Sequence, residues 1–355
     1  MSESTPSTTR PVFIAGRQHS GNTVMAVLLE GLSGWYVQSG ENSMIEVHRL
    51  IDRLSDPESK SRELFRRLKF EDPENHDWML QKVTSLVTAD PRRPSIEIYR
   101  EAMDQFVAHR GDHAWGQKAT SYIFHAEELL ELIPGSRLIY LMRNPWDLSA
   151  SMKRRKPEAE RAFGLTLSWA KGVRIADRLS TEIPDRFRLI RYEDLTGRPE
   201  QTVQQLCDWL GEPYDESLLN VPQVNTSENQ VHAGGMTGRE RIKESTGHET
   251  NRSGTNTPTA TSGLSRDKVY RYGEKLDSFE IARIDQLISL FGVRHLIKKH
   301  YKDLPHELGG HGLVAKTRSL AGLPLAPVRF GLSYFTSIKR SPMHTISRSV
   351  KRFRA

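Results

Sequence analysis

A single cysteine, Cys207, is all the chain has in 355 residues. One thiol cannot close an intrachain disulfide, so the fold rests on its core, and a reducing compartment suits it. Cys207 lies in Leu206-Cys-Asp-Trp-Leu, a helical apolar pattern that predicts a buried structural thiol. Long apolar runs are missing as well. Nothing approaches the roughly 18 residues that a membrane-spanning helix needs, and the opening MSESTPSTTR has none of the apolar character of a secretory signal. Both absences predict a cytoplasmic protein. Acidic residues are scarce in one region only. From Pro305 onward nine Lys/Arg stand against one acid, Glu307, a surplus of +8, which leaves 42 basic and 43 acidic residues, a net of −1, for the rest. The formal charge of +7 therefore belongs to a tail, and the body gives no reason to expect a nucleic-acid partner.

The length is enough for one large α/β domain with extensions. Strand-like runs fall at 12–15, at 114–117, at Arg137–Met142 and at Phe187–Arg191, with helical periodicity at 24–32, 44–54, 61–69, 96–109, 126–133, 159–180 and 201–210. Strands alternating with helices argue for a three-layer α/β/α fold around a central, mostly parallel sheet. Residues 225–263 are rich in Ser, Thr, Asn and Gly and read as a long loop or lid inside a domain spanning 11–303. Helical pattern resumes at 266–275 and 279–290. Residues 1–10 read as a disordered start and 304–355 as a basic extension. In its last stretch Tyr334, Phe335, Ile338, Ile346, Val350 and Phe353 are mixed with cations. That mixture fits either a solvated tail or an amphipathic helix touching an anionic membrane surface.

Two stretches carry chemistry. The first is GRQHSGNT, residues 16–23, placed between an apolar run and a helical one. A strand, a glycine turn and a helix start bring several backbone N–H groups and the positive end of a helix dipole to one spot, which binds anions. Ser20 and Thr23 add hydroxyls, Gly16 and Gly21 permit close backbone approach, and Arg17 and His19 offer charge. Asn22 stands where a triphosphatase loop has its lysine, and no apolar strand ends in a magnesium-binding aspartate. The second stretch is LMRNPWDLSASMKRR. Arg143 falls at the carboxyl edge of a strand, where open parallel sheets bind ligands. Pro145 suits the first turn of a helix that carries Ser151. Arg143 and Ser151 are spaced to converge on a further phosphate, although Arg143 could equally pair with Asp147.

Together, G-x-x-x-S-G-x-T after the first strand and R-N-P-x-D-x-x-x-S after a later one resemble the motif pair of sulfotransferases that use 3′-phosphoadenosine 5′-phosphosulfate (PAPS). Lys118-Ala-Thr-Ser-Tyr122 is similar to that family's lysine-threonine-proline-x-tyrosine segment, and Arg191-Tyr-Glu-Asp-Leu195 to its R-Y-E-D-L. The resemblance spans about residues 11–300. It implies a P-loop-like fold in which the first loop, residues 17–23 with Asn22, holds the 5′-phosphosulfate, Arg143 and Ser151 the 3′-phosphate, and Tyr192 the adenine. It also resolves the oddity at Asn22, since a phosphosulfate cofactor has no γ-phosphoryl to transfer and needs neither the lysine nor a metal.

For the reaction, the resemblance implies an acceptor hydroxyl or amine attacking sulfur in line, with loop donors stabilising the charge that develops. The family commonly has lysine or arginine where this chain has His19, so protonated His19, Arg17 or Lys118 must supply the positive charge. Glu41, after a glycine turn at the sheet's carboxyl edge, is the first choice of general base, ahead of Glu46 and His48. The expected acceptor is a carbohydrate, a lipid or another small molecule, with small or uncharged acceptors favoured by the near-neutral body. The competing readings are a degenerate P-loop kinase or triphosphatase, which needs Mg²⁺, and a non-catalytic anion-binding scaffold working through its basic tail. Oligomeric state leaves no trace in the sequence.

Overall fold

Five strands pair in parallel in the order β2-β3-β1-β4-β5: β1 (Arg10–Gly16), β2 (Trp35–Gln38), β3 (Ala114–Lys118), β4 (Arg137–Met142) and β5 (Phe187–Arg191). The structure is a computed structural model. It describes residues 9–305, apart from 39, 42, 43, 154–159 and 222–263, together with positions 317 and 327. The loop expected at 225–263 and the tail from 306, those two isolated positions aside, thus fall outside the described residues.

Alternation along the strands builds the layers. Val12 and Ile14 of β1, Val37 of β2 and Ile139 and Leu141 of β4 pack on one face with α1 (Asn22–Glu30) and α10 (Pro199–Leu210). Phe13 and Ala15, with Leu138, Tyr140 and Met142, enter the other face's core. That second core is completed by α2 (Met44–Ile51), α3 (Pro57–Leu68), α4 (His76–Ala89), α5 (Ser95–His109), α6 (Ala126–Leu132) and α8 (Leu165–Glu182). Both faces of β1 and β4 are buried, hence their near-continuous apolar runs. The short α7 (Pro145–Ser151) and α9 (Tyr192–Gly197) follow β4 and β5 at the carboxyl edge. Cys207 is buried on α10 as its pattern predicted.

Two elements were missed and two expectations are corrected. β2 and α4 had no counterpart in the sequence reading. The helix expected over 159–180 begins with a π-helical turn, Glu160–Gly164, before α8. The helix expected over 266–275 is broken into a 3₁₀ turn, Arg266–Lys268, and a single turn, Tyr272–Lys275. Between them Tyr270 adopts φ 56°, a left-handed conformation that ends any right-handed helix.

Candidate functional site

Strand order decides what meets at the carboxyl edge. β1 is central, with β3 on one side and β4 on the other, so the 16–23 loop rises between Lys118 at the end of β3 and Arg143 after β4. The chain turns to opposite sides of β1 there, the place where parallel sheets open a crevice.

The loop is folded by its own backbone and by Asn22. Ser20 N–H donates to the Arg17 carbonyl at 3.0 Å, and His19 holds φ 72°. Gly16 cannot carry a side chain, because a Cβ there would lie 2.7 Å from the Leu141 carbonyl and against Asn22. Asn22, the first residue of α1, donates from Nδ2 to the Gly16 carbonyl at 2.8 Å. This explains the residue that replaces the triphosphatase lysine: its side chain fastens the end of β1 to the start of α1. What Asn22 offers an anion is its backbone N–H. The α1 start has no side-chain cap, so its first N–H groups keep their capacity for a ligand. Ser20 is 1 % exposed and its hydroxyl has no hydrogen-bond partner among the described residues, an expense a folded chain rarely carries without use. Thr23 stands half-buried in the first turn of α1.

Arg143 is joined to this loop. Its Nη1 donates to the His19 carbonyl at 3.0 Å, and its guanidinium lies 4.5 Å from the centre of the Tyr192 ring. Tyr192 in turn packs beneath Gly21, where a Cβ would come within 2.8 Å of ring carbon Cδ2. Loop, arginine and tyrosine therefore form one stack. Burial, opposed in part by Arg143, raises the Tyr192 hydroxyl above its usual value, so the ring is neutral. Asp147 lies 3.8 Å from Arg143 Nη2. The pairing of Arg143 with Asp147 thus coexists with its approach to the loop. Ser151, at the end of α7, donates its hydroxyl to the Asp147 carbonyl at 2.8 Å; it and Arg143 are related through Asp147.

The scaffold beneath Arg143 is a buried polar network. Asn144 caps α7, accepting from the Asp147 N–H at 2.8 Å. Its own N–H and Nδ2 donate to Glu193 Oε1 at 3.0 and 2.8 Å. Glu193, of the R-Y-E-D-L stretch, is buried, and burial raises its carboxyl above the ordinary value. The Trp169 indole donates to the Arg143 carbonyl at 3.0 Å. Sequence reasoning passed over Asn144 and Glu193. Their signal was present in the motif spelling but lay among residues without an obvious ligand role.

On the β3 side, Glu41 and the Lys118-Ala-Thr-Ser-Tyr122 stretch meet. The Thr120 N–H and hydroxyl donate to Glu41 Oε2 at 3.2 and 3.1 Å. Glu41 is exposed at the carboxyl edge. Burial, then Tyr99 and the carboxylates of Glu41 and Glu46, push the Tyr122 hydroxyl well above its usual value. His48 is committed elsewhere: it is buried, with Nδ1 3.0 Å from the Ile45 carbonyl and Nε2 3.8 Å from Glu128. Among the described residues no group of three or more His, Cys, Asp or Glu is disposed to hold a metal ion. No helix there is long and apolar enough to cross a membrane.

No curated protein matches the chain. Among solved structures, the sulfotransferase domain of the olefin synthase of Synechococcus PCC 7002 is 23 % identical, covering 69 % of this chain and 90 % of its own, with a TM-score of 0.45. The sulfotransferase domain from the curacin biosynthetic pathway is 18 % identical, covering 89 % and 98 %, with a TM-score of 0.43. A sulfotransferase of Mycobacterium avium is 15 % identical, covering 84 % and 79 %, with a TM-score of 0.41. The model of the sulfotransferase family matches residues 11–216, the span that holds the five strands from the second residue of β1 onward and every candidate residue above, and the chain belongs to that family.

Proposed function

We propose that this sulfotransferase carries a sulfuryl group from PAPS to a hydroxyl or amine of a carbohydrate, lipid or other small-molecule acceptor. The observation that carries the reading is the joined pair of anion-binding elements, an uncapped helix start with the unspent Ser20 hydroxyl on one side and the buried Arg143 guanidinium on the other. A nucleotide with a phosphosulfate at one end and a phosphate at the other suits that pair. The 16–23 loop would hold the phosphosulfate and Arg143 with Ser151 the 3′-phosphate, while Tyr192 would border the adenine. PAPS supplies an activated sulfuryl group on a phosphate leaving arm.

The chain's own residues do the rest. Loop N–H groups, with protonated His19, Arg17 or Lys118 as the cation, stabilise charge at the reacting centre; a well-placed donor of this kind is worth roughly 3–4 kcal/mol. Glu41 takes the acceptor's proton, and the two bonds from Thr120 fix its carboxylate at the edge of β3. At the position where a kinase loop has its lysine, Asn22 is spent on the Gly16 carbonyl, which speaks against a kinase reading.

Calorimetric titration with adenosine 3′,5′-bisphosphate beside ATP tests the nucleotide, and an acceptor screen with ³⁵S-labelled PAPS tests the transfer. Tighter binding of ATP than of the bisphosphate, or Mg²⁺-dependent ATP turnover, refutes the reading. A cytoplasmic location with peripheral contact of the basic tail, residues 304–355, on an anionic membrane is a separate proposal. Co-sedimentation with anionic vesicles, lost when the tail is deleted, is the expected outcome.

A further inference from the structure

The family match ends at residue 216, yet residues 264–305 are sewn onto the site, and the seam runs through Asp147. This carboxylate is 2 % exposed. Its Oδ2 accepts the Tyr270 N–H at 2.7 Å and Asn144 Nδ2 at 2.8 Å, and its Oδ1 accepts the Tyr272 N–H at 3.0 Å. Arg143 Nη2 stands 3.8 Å away. Tyr270 is held at φ 56°, a backbone conformation bulky residues adopt only where their surroundings over-determine it. Its hydroxyl accepts from Arg191 Nη2 at 3.3 Å, and Arg191 also donates to Asp303 at 2.8 Å. Arg191 ends β5 and immediately precedes Tyr192. The 269–272 strap thus touches α7, the helix that follows β4 and Arg143, and the end of β5 beside Tyr192. Next to it, Trp146 of α7 donates to Asp285 at 3.0 Å, and Lys153 to the Lys275 carbonyl at 2.6 Å.

A carboxylate beside Arg143 weakens that arginine's attraction for an anion. Its charge works against binding unless it also fixes where the guanidinium stands. We propose that Asp147 is a positioning residue that holds Arg143 and the 269–272 strap in one arrangement, making the strap a wall of the nucleotide site. The inference rests on the PAPS reading. Because binding to the strapped form stabilises it, a nucleotide on Arg143 tightens the strap and a docked strap tightens the nucleotide to the same degree.

Asp147→Asn keeps the size of the side chain while removing its charge and one acceptor. The Kd for adenosine 3′,5′-bisphosphate, by calorimetry, and the KM for PAPS are expected to rise roughly tenfold. kcat and the acceptor KM are expected to stay within about twofold, a split that general loosening of the fold would not give. Unchanged or tighter bisphosphate binding overturns the proposal, since the carboxylate would then only repel the anion. A second measurement needs no variant. In the wild-type full chain, amide hydrogen exchange across residues 264–276 is expected to slow several-fold on adding either the bisphosphate or inorganic phosphate. No slowing with either ligand overturns it. Failure of the PAPS reading looks different: the bisphosphate does not bind, while phosphate still slows the strap.

Discussion

Gly21→Ala tests the stack of loop, tyrosine and arginine most directly. Gly21 holds φ 95°, and an added Cβ would stand 2.8 Å from Tyr192 Cδ2 and 3.2 Å from Cε2. The left-handed backbone alone costs a non-glycine residue about 1–2 kcal/mol. Overpacking against an aromatic ring adds about 1–3 kcal/mol, and this ring is already packed against the Arg143 guanidinium. The sum, about 2–5 kcal/mol, is a large share of the about 5–15 kcal/mol that holds a typical domain together. Urea unfolding at 25 °C should show a lower midpoint at unchanged slope, and calorimetry a weakened bisphosphate site, because Tyr192 can retreat only by moving Arg143. Gly273→Ala is the control. It lies in the single helical turn Tyr272–Lys275 with nothing within 4 Å of the added carbon, so the same chemical change should raise stability by about 0.5–1 kcal/mol. A Gly21→Ala protein within about 1 kcal/mol of wild type, with unaltered bisphosphate affinity, would refute the stack.

Glu41→Gln should lower kcat by about 10²–10⁴-fold while leaving bisphosphate affinity unchanged; equal loss of both would remove it from the role of base. Arg143→Lys should weaken the bisphosphate about 10–100-fold, because an ammonium cannot reproduce the fork of a guanidinium, and binding within a factor of two of wild type would count against the 3′-phosphate role. Burial pushes the Glu280 carboxyl upward, but the bonds from Lys153 and Arg161, at 2.7 and 2.6 Å, prevail and hold it below its ordinary value. A depressed native pKa stabilises the fold above the ordinary carboxylate range, and that gain fades as pH falls through the native pKa. In urea midpoints measured from pH 7 to pH 3, the gap between wild type and Glu280→Gln should therefore narrow toward acid; a gap that widens would reverse the assignment.

β1 and β4 were legible because burial on both faces leaves an apolar run behind the arginine that opens each. β2 was not: it has four residues and ends in Gln38, a buried amide that accepts from Gln117 Nε2 at 2.7 Å, so polarity there marks an internal bond rather than a surface. α4 buries only Met79, Val83 and Val87, a stripe too narrow to stand out from its polar neighbours. In the candidate site, the residues singled out were those whose pattern is local, namely the 16–23 loop and Arg143 at a strand end, which the structure brings into contact. Those whose role depends on distant partners were not. Asp147 meets Tyr270 and Tyr272 across more than 120 residues of sequence, and the motif that placed Asn22 in the loop says nothing of its side-chain bond to the Gly16 carbonyl. The broken helix at 266–275 has the same origin, since its turn pattern is intact while the clamp that interrupts it lies on another element.

The buried Cys207 has a practical side. Burial is the main reason its thiol is pushed up to about 11, so near neutral pH only about one molecule in ten thousand carries the reactive thiolate. Any cysteine introduced at an exposed position would be the sole group open to maleimide chemistry, with no need to mutate the native one first. A dye on the 269–272 strap and another on α1 would then report their separation as ligands come and go.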